Sequence, residues 1–142
     1  MEIRTPLTLD EWSAYYALRW EILRKPWNQP VGSEKDVDEK LFYHLAVFES
    51  DSLIGVGCLI MLSADEAQIR FMAVANGVQR KGVGVSLMNA LEVEAFNRAV
   101  KKVVLHAREL AIPFYEYCGY TIDEKSYLLF DSIQHYLMSK EI

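Results

Sequence analysis

The run from Ile69 to Met88 constrains this chain more than any other. It opens with Ile69-Arg70-Phe71-Met72-Ala73-Val74, a stretch that suits a strand. It continues through Gln79, Arg80, Lys81, Gly82, Val83, Gly84 and Val85 into an apolar series with Leu87 and Met88. Strand, glycine-bearing turn and helix therefore follow one another directly. The first turn of a helix has N–H groups with no partner inside the helix, and the aligned peptide dipoles place positive potential there. Together they make an anion site. Gly82 and Gly84 carry no Cβ, so a phosphate can approach the main chain closely. The pattern lacks the third glycine and the later acid of a dinucleotide fingerprint, and no Gly-Lys-Ser/Thr closes it as a P-loop. On these residues alone, glycines that only shape a turn remain an alternative.

The rest of the chain reads as one soluble domain over residues 1–142. A chain of 142 residues buries about 68–70% of its unfolded surface, enough for a core. No apolar run reaches the roughly 18 residues of a membrane helix, and the N-terminus has no secretory apolar region, so no membrane is expected. Two cysteines, Cys58 and Cys118, are too few for a disulfide framework and fit the reducing cytoplasm. The net charge of -5 comes with no basic stripe. That argues against nucleic acid and leaves room for a cationic small molecule.

Residues 2–5 read as a short edge strand. Thr8 and Glu11 form a capping box that starts a helix near Leu9, with Trp12, Tyr15, Tyr16, Arg19, Ile22 and Leu23 at helical spacing and Pro26 as its stop. The aromatic stripe reads as core packing, and Trp27 in the following loop as a lining of the substrate mouth or a plug in the core. Residues 33–40, with Glu34, Lys35, Asp36, Asp38, Glu39 and Lys40, read as a solvated face. Strands are expected over 42–49, 53–62 and 67–75. In the third, alternation places Ile69, Phe71 and Ala73 on one face and Gln68, Arg70 and Met72 on the other. A helix over 82–99 with Leu87, Leu91, Val93, Ala95 and Phe96 on its apolar side, a buried strand over 101–107, a short helix over 111–117 and a closing hairpin complete the chain. The fold class is α/β, in a mixed α+β form.

Three marks give this layout a family likeness. Gln79-x-x-Gly82-x-Gly84, one short turn after Phe71-Met72-Ala73-Val74, resembles the acyl-CoA signature of the GNAT N-acetyltransferase superfamily. Ala111-Ile112-Pro113-Phe114-Tyr115-Glu116-Tyr117-Cys118-Gly119-Tyr120 resembles that family's Ala-x-x-Phe-Tyr-x-x-x-Gly-Phe helix and turn. Ile133-Gln134-His135-Tyr136-Leu137-Met138 is similar to its last strand. The marks stand in the family order and spacing.

The resemblance implies a central, mostly antiparallel twisted sheet, flanked by helices and splayed open beside the strand at 69–75. It implies acetyl-CoA as co-substrate, with no metal, and acetyl transfer by direct attack of a small-molecule or peptide amine. The pantetheine arm would pair with the main chain at Met72, Ala73 and Val74 like an added strand. The pyrophosphate would sit on the amides of Gln79, Arg80, Lys81, Gly82, Val83, Gly84 and Val85. The Met72 amide would be the oxyanion donor. Tyr115 would touch the coenzyme and protonate its sulfur, with Tyr117 and Tyr120 as alternatives. Where several members carry a glutamate base this chain has Gln68, which cannot take a proton usefully. Glu66, His44, His106, Glu109 or a chain of waters could stand in. Cys118 as a nucleophile is disfavoured, since no paired histidine is evident. A homodimer is compatible, and a non-catalytic acyl-CoA sensor on the same fold is the alternative function.

Overall fold

The structure is a computed structural model describing residues 1–79 and 81–142; the expected anion-binding residue Arg80 lies outside the described residues. Strand β1 (Glu2–Arg4) leads to helix α1 (Leu9–Leu23). Thr8 Oγ1 accepts from the Glu11 amide at 3.1 Å, and Glu11 reaches back to the Leu7 amide at 2.8 Å. The expected cap thus forms, shifted by one residue on its return bond. Glu11 also takes both guanidinium nitrogens of Arg4 at 2.9 and 2.8 Å, which ties the helix start to the edge strand. That pairing holds the Glu11 carboxyl down near about 2.

After Leu23 the chain turns through a short 3₁₀ segment, Lys25–Trp27, with Pro26 in its first turn. Strands β2 (Tyr43–Glu49), β3 (Ser52–Met61) and β4 (Glu66–Val74) make an antiparallel meander. Helix α2 (Val83–Asn97) crosses to β5 (Lys102–Arg108), which runs parallel to β4. Helix α3 (Ile112–Tyr117) leads into β6 (Thr121–Leu129) and β7 (Ile133–Glu141). The seven strands form one sheet in the order β1-β2-β3-β4-β5-β7-β6, and β4–β5 is its parallel pair. This is the mixed, mostly antiparallel sheet flanked by helices that the sequence predicts. Among the described residues, no helix is long and apolar enough to cross a membrane.

Helix α1 covers one face of the sheet. Its Tyr15 and Leu18 pack with Ala46, Phe48, Val56, Cys58 and Ala73. Helix α2 covers the other, with Val83, Leu87, Met88, Leu91 and Ala95 against Leu45, Val47, Leu59, Ile69 and Leu105. The expected apolar side of α2 is narrower than its composition suggests. Val93 and Phe96 are exposed, at 59% and 69%. Leu87, Leu91 and Ala95 recur every four residues and so share one stripe, whereas Val93 and Phe96 fall off it. The charged stretch 33–40 is also not a plain solvated face. Glu34 is buried, Glu39 binds Arg19 and Asp36 binds Arg70.

This face assignment has a stability consequence. Leu91→Ala removes a fully buried side chain and should cost about 2–5 kcal/mol. Phe96→Ala should stay within about 0.5 kcal/mol, as exposed substitutions usually do. Denaturant unfolding of the two variants checks it, and similar costs for both would contradict the packing described.

Candidate active site

Strands β4 and β5 pair only at Glu66–Lys102, Ala67–Val103 and Gln68–Val104. Beyond Gln68 they part, because β5 continues its ladder with β7 as far as Arg108 while β4 follows β3. The edge of β4 that faces β5 is therefore without a ladder partner over its second half. Unpaired strand edge is a template for an added strand.

A bulge sharpens this divergence. Register against β3 shifts between Val56 and Cys58, and Phe71 on β4 adopts φ +56°. A bulky residue in the left-handed region is strained by about 1–3 kcal/mol and persists only where its surroundings fix it. The bulge also corrects the expected alternation. Ile69 packs on the α2 side, but Phe71 and Ala73 pack on the α1 side, with Met72 and Val74 on the α2 side. One extra residue on β4 reverses the faces after Arg70. Gly57 sits opposite, where a Cβ would lie 2.7 Å from Met72 Sδ, so the glycine makes room for Met72.

What holds Phe71 lies behind the sheet. The guanidinium of Arg19, fully buried, stacks over the Phe71 ring at 4.3 Å. Arg19 donates to Glu39 Oε2 at 2.8 Å, to the Tyr15 hydroxyl at 3.3 Å and to Cys58 Sγ at 3.1 Å. Among the described residues its Nε has no partner. His44 Nδ1 stands 2.8 Å from the Tyr15 hydroxyl, and its Nε2 is 2.7 Å from the Glu39 carbonyl. Burial pushes the Cys58 thiol up to about 11 and holds the His44 imidazole below its usual range. Cys58 is thus a protonated, inert core thiol.

The splay opens into a cleft of about 380 Å³. Its walls include Gln68, Arg70, Phe71 and Met72 of β4, His106 and Arg108 of β5, and Tyr115 of α3. The two residues expected to do chemistry, Met72 and Tyr115, thus meet in one cavity. Leu23, Arg24 and Trp27 line it from the end of α1, and Tyr127, Leu129, Ile133 and His135 from the last hairpin. Trp27 lines the cleft, which favours the first of its two expected places over a plug in the core. Tyr15 and Tyr16 do not line it: Tyr15 is core, and Tyr16 gives its hydroxyl to Glu39 at 3.1 Å. Of the expected base candidates His106 lines the cleft, whereas Glu66, His44 and Glu109 do not.

Tyr115 is half-buried, edge-on to Phe114 at 5.0 Å, and its hydroxyl has no hydrogen-bond partner among the described residues. Burial pushes its pKa up to about 12, against the opposing pull of Arg108. Tyr117 is exposed, and the Tyr120 hydroxyl donates to Glu92 at 2.7 Å, so neither alternative is free to act in the cleft. Burial and the nearby Arg70 hold His106 below the usual imidazole range. His135 is lowered too, by burial and then by Arg108, His106 and Arg24, against the raising effect of the Ile133 carbonyl. It stacks on Tyr127 at 4.4 Å. His135, Tyr127 and Arg24 are cleft residues that sequence reasoning did not select. The Ile133–Met138 mark, which contains His135, was the signal for the first.

The turn before α2 holds the remaining expected residues. Gly82 caps the helix at φ +80°, and among the described residues nothing beyond its chain neighbours lies within 4 Å of where a Cβ would stand. Lys81 and Gln79 are exposed; the Gln79 side chain donates to the Val74 carbonyl at 3.1 Å, tying the turn to the end of β4. Val83 is buried in the core and Val85 half-buried, so only their amides can serve a ligand. Gly84 has a packing role as well, since a Cβ there would meet the Phe114 ring at 3.0 Å. An α2 N-terminus and an open strand edge, joined by one turn, suit a ligand with phosphates at one end and an amide-bearing arm at the other. Among the described residues, no group of three or more His, Cys, Asp or Glu could hold a metal ion.

Comparisons with known proteins agree with this geometry. The family model for the acetyltransferase (GNAT) family matches residues 12–120. The chain is 29% identical over 128 residues to a Bacillus subtilis (strain 168) protein described as the uncharacterized N-acetyltransferase YjcF, covering 90% of each. The fold matches the crystal structure of an aminoglycoside 6'-N-acetyltransferase complexed with coenzyme A, with a TM-score of 0.84, 18% identity and coverage of 99% of this chain and 97% of that one. It also matches a GNAT family acetyltransferase from Elizabethkingia anophelis with acetyl-CoA bound, with a TM-score of 0.76, 17% identity and the same coverage.

The support behind the bulge can be tested by itself. Glu39→Ala leaves the Arg19 charge buried without its carboxylate, which should cost about 3–5 kcal/mol. Equilibrium unfolding reads it, and a cost below about 1 kcal/mol would show that the pair holds nothing in place.

Proposed function

The chain belongs to the acetyltransferase (GNAT) family, and on that premise we propose that it moves the acetyl group of acetyl-CoA to a primary amine by direct attack within a ternary complex. The observation that carries this reading is the meeting of Tyr115 and Met72 in the cleft where β4 and β5 part. The amides of the turn at 79–85, Gly82 foremost, hold the pyrophosphate, and Met72, Ala73 and Val74 pair with the pantetheine arm. No metal takes part.

The acceptor nitrogen bonds to the thioester carbon, the C–S bond breaks, and the nitrogen gives up a proton. The Met72 amide meets the charge that grows on the carbonyl oxygen. Tyr115 delivers its proton to the departing sulfur, and with a pKa of about 12 it stays protonated throughout the neutral range. Cys118 has no role. Its thiol is raised by burial and by Glu92, the opposite of an activated nucleophile. His106, held neutral near pH 7, takes the amine proton directly or through water. Three guanidiniums in the same cleft, Arg24, Arg70 and Arg108, favour the uncharged amine over the ammonium, which lightens the demand on any base.

Tyr115→Phe keeps the ring and removes the proton. It should lower kcat by about 10²–10⁴-fold, with little change in affinity for acetyl-CoA. Thiol release from acetyl-CoA with an amine panel, measured beside calorimetric binding, reads both. Near wild-type kcat in the Phe variant would reassign Tyr115 to packing. Binding of coenzyme with no turnover across the panel would replace the enzyme reading with that of an acyl-CoA sensor.

A further inference from the structure

We infer that the acceptor carries an anionic group close to its amine, and that Arg24 and Arg108 bind this group. The inference rests on the reading of the cleft as the acceptor site, and it names the class of acceptor. Six arginines lie among the described residues. Arg4, Arg19, Arg70 and Arg98 each form an ion pair with a carboxylate. Arg24 and Arg108 form none among the described residues, and both line the cleft. No aspartate or glutamate is among the lining residues. A protein of net charge -5 thus turns two guanidiniums that are uncompensated among the described residues into one cavity, beside Tyr115 and Met72.

Both side chains are half-buried and held in place. Arg24 spends Nε on the Ser33 carbonyl at 3.1 Å and one terminal nitrogen on the Leu23 carbonyl at 2.9 Å. Its guanidinium lies 5.5 Å from the Phe130 ring, and that of Arg108 lies 5.6 Å from the Trp27 ring. A guanidinium fixed by carbonyls and rings is set for two-pronged binding of a carboxylate or phosphate. Two acids of the 33–40 stretch are engaged elsewhere: Asp36 pairs with Arg70, and Glu34 accepts from the Gly32 amide at 2.7 Å. Among the described lining residues a dication meets three arginines and no carboxylate. An amine with a carboxylate or phosphate finds a partner for its anion, while its ammonium is pressed to lose a proton. An anion-bearing acceptor runs against the cationic one for which net charge left room.

The test uses amine pairs that differ only in the anion: α-amino acids against their amides, and aminoalkyl phosphates against the corresponding amino alcohols. The acid-bearing member should have the higher kcat/KM by about tenfold or more, and the two arms tell carboxylate from phosphate. Arg24→Gln should erase that preference and leave KM for acetyl-CoA unchanged, while Arg24→Lys should keep part of it. Thermal melting shows whether the variants are folded. Calorimetric titration of an N-acetylamino acid and its amide into the coenzyme A complex gives a readout independent of turnover. Tighter binding of the acid by the wild type alone supports the inference even if no amine reacts, in which case only the enzyme reading falls. Equal or better use of neutral or dicationic members, or an acid preference that survives Arg24→Gln, overturns it.

Discussion

The stacking of a buried arginine on a strained phenylalanine is the contact on which the site depends. Phe71 at φ +56° makes β4 take one residue more than β3 can match. Arg19, paired to Glu39 and packed under the Phe71 ring at 4.3 Å, holds it there. Through that bulge, Met72 turns to the α2 side and fills the space that Gly57 leaves open. It also sharpens the divergence of β4 from β5 that begins after Gln68 and opens the cleft. A buried ion pair is a poor source of stability, and here its use is to specify a backbone shape that a flat ladder would remove.

Electrostatics then divides the work between two ends of one groove. The start of α2, with Gly82 at φ +80°, is a site made of backbone, and its side chains matter mainly by being absent. The cleft beside Tyr115 is a site made of side chains. Burial, and after it the arginines, keep the imidazoles of His106 and His135 below their usual range, and burial keeps the Tyr115 phenol protonated. On the reading proposed above, one positive, partly dry environment would serve proton donor, proton acceptor and neutral nucleophile together.

Much of this was legible in the sequence, because the parts that are local in sequence carry local signals. The Thr8 cap, the Gly82 turn and the strand-helix-strand order all follow from short-range chemistry. The Ala111–Tyr120 stretch likewise marked Tyr115. What could not be read was whatever a bulge or a long-range contact decides. Strict alternation put Ile69 and Phe71 on one face, and a single inserted residue separated them. Arg19 read as one more residue of a helix stripe, because the Glu39 that neutralises it stands 20 residues away. Arg24 follows the end of α1 and His135 lies on β7, and only the folded sheet brings them together. Net charge could not show that Asp36 and Glu39 pair with the distant Arg70 and Arg19.

The central claim is that the open edge of β4 and the first turn of α2 receive acetyl-CoA. Amide hydrogen exchange with and without acetyl-CoA tests it most directly. The account predicts that slowed exchange on binding concentrates at Met72–Val74 and at Gly82–Val85, with the β1–β2 edge unchanged. Binding that leaves both of those segments exchanging as before, or that protects the sheet elsewhere, would contradict it.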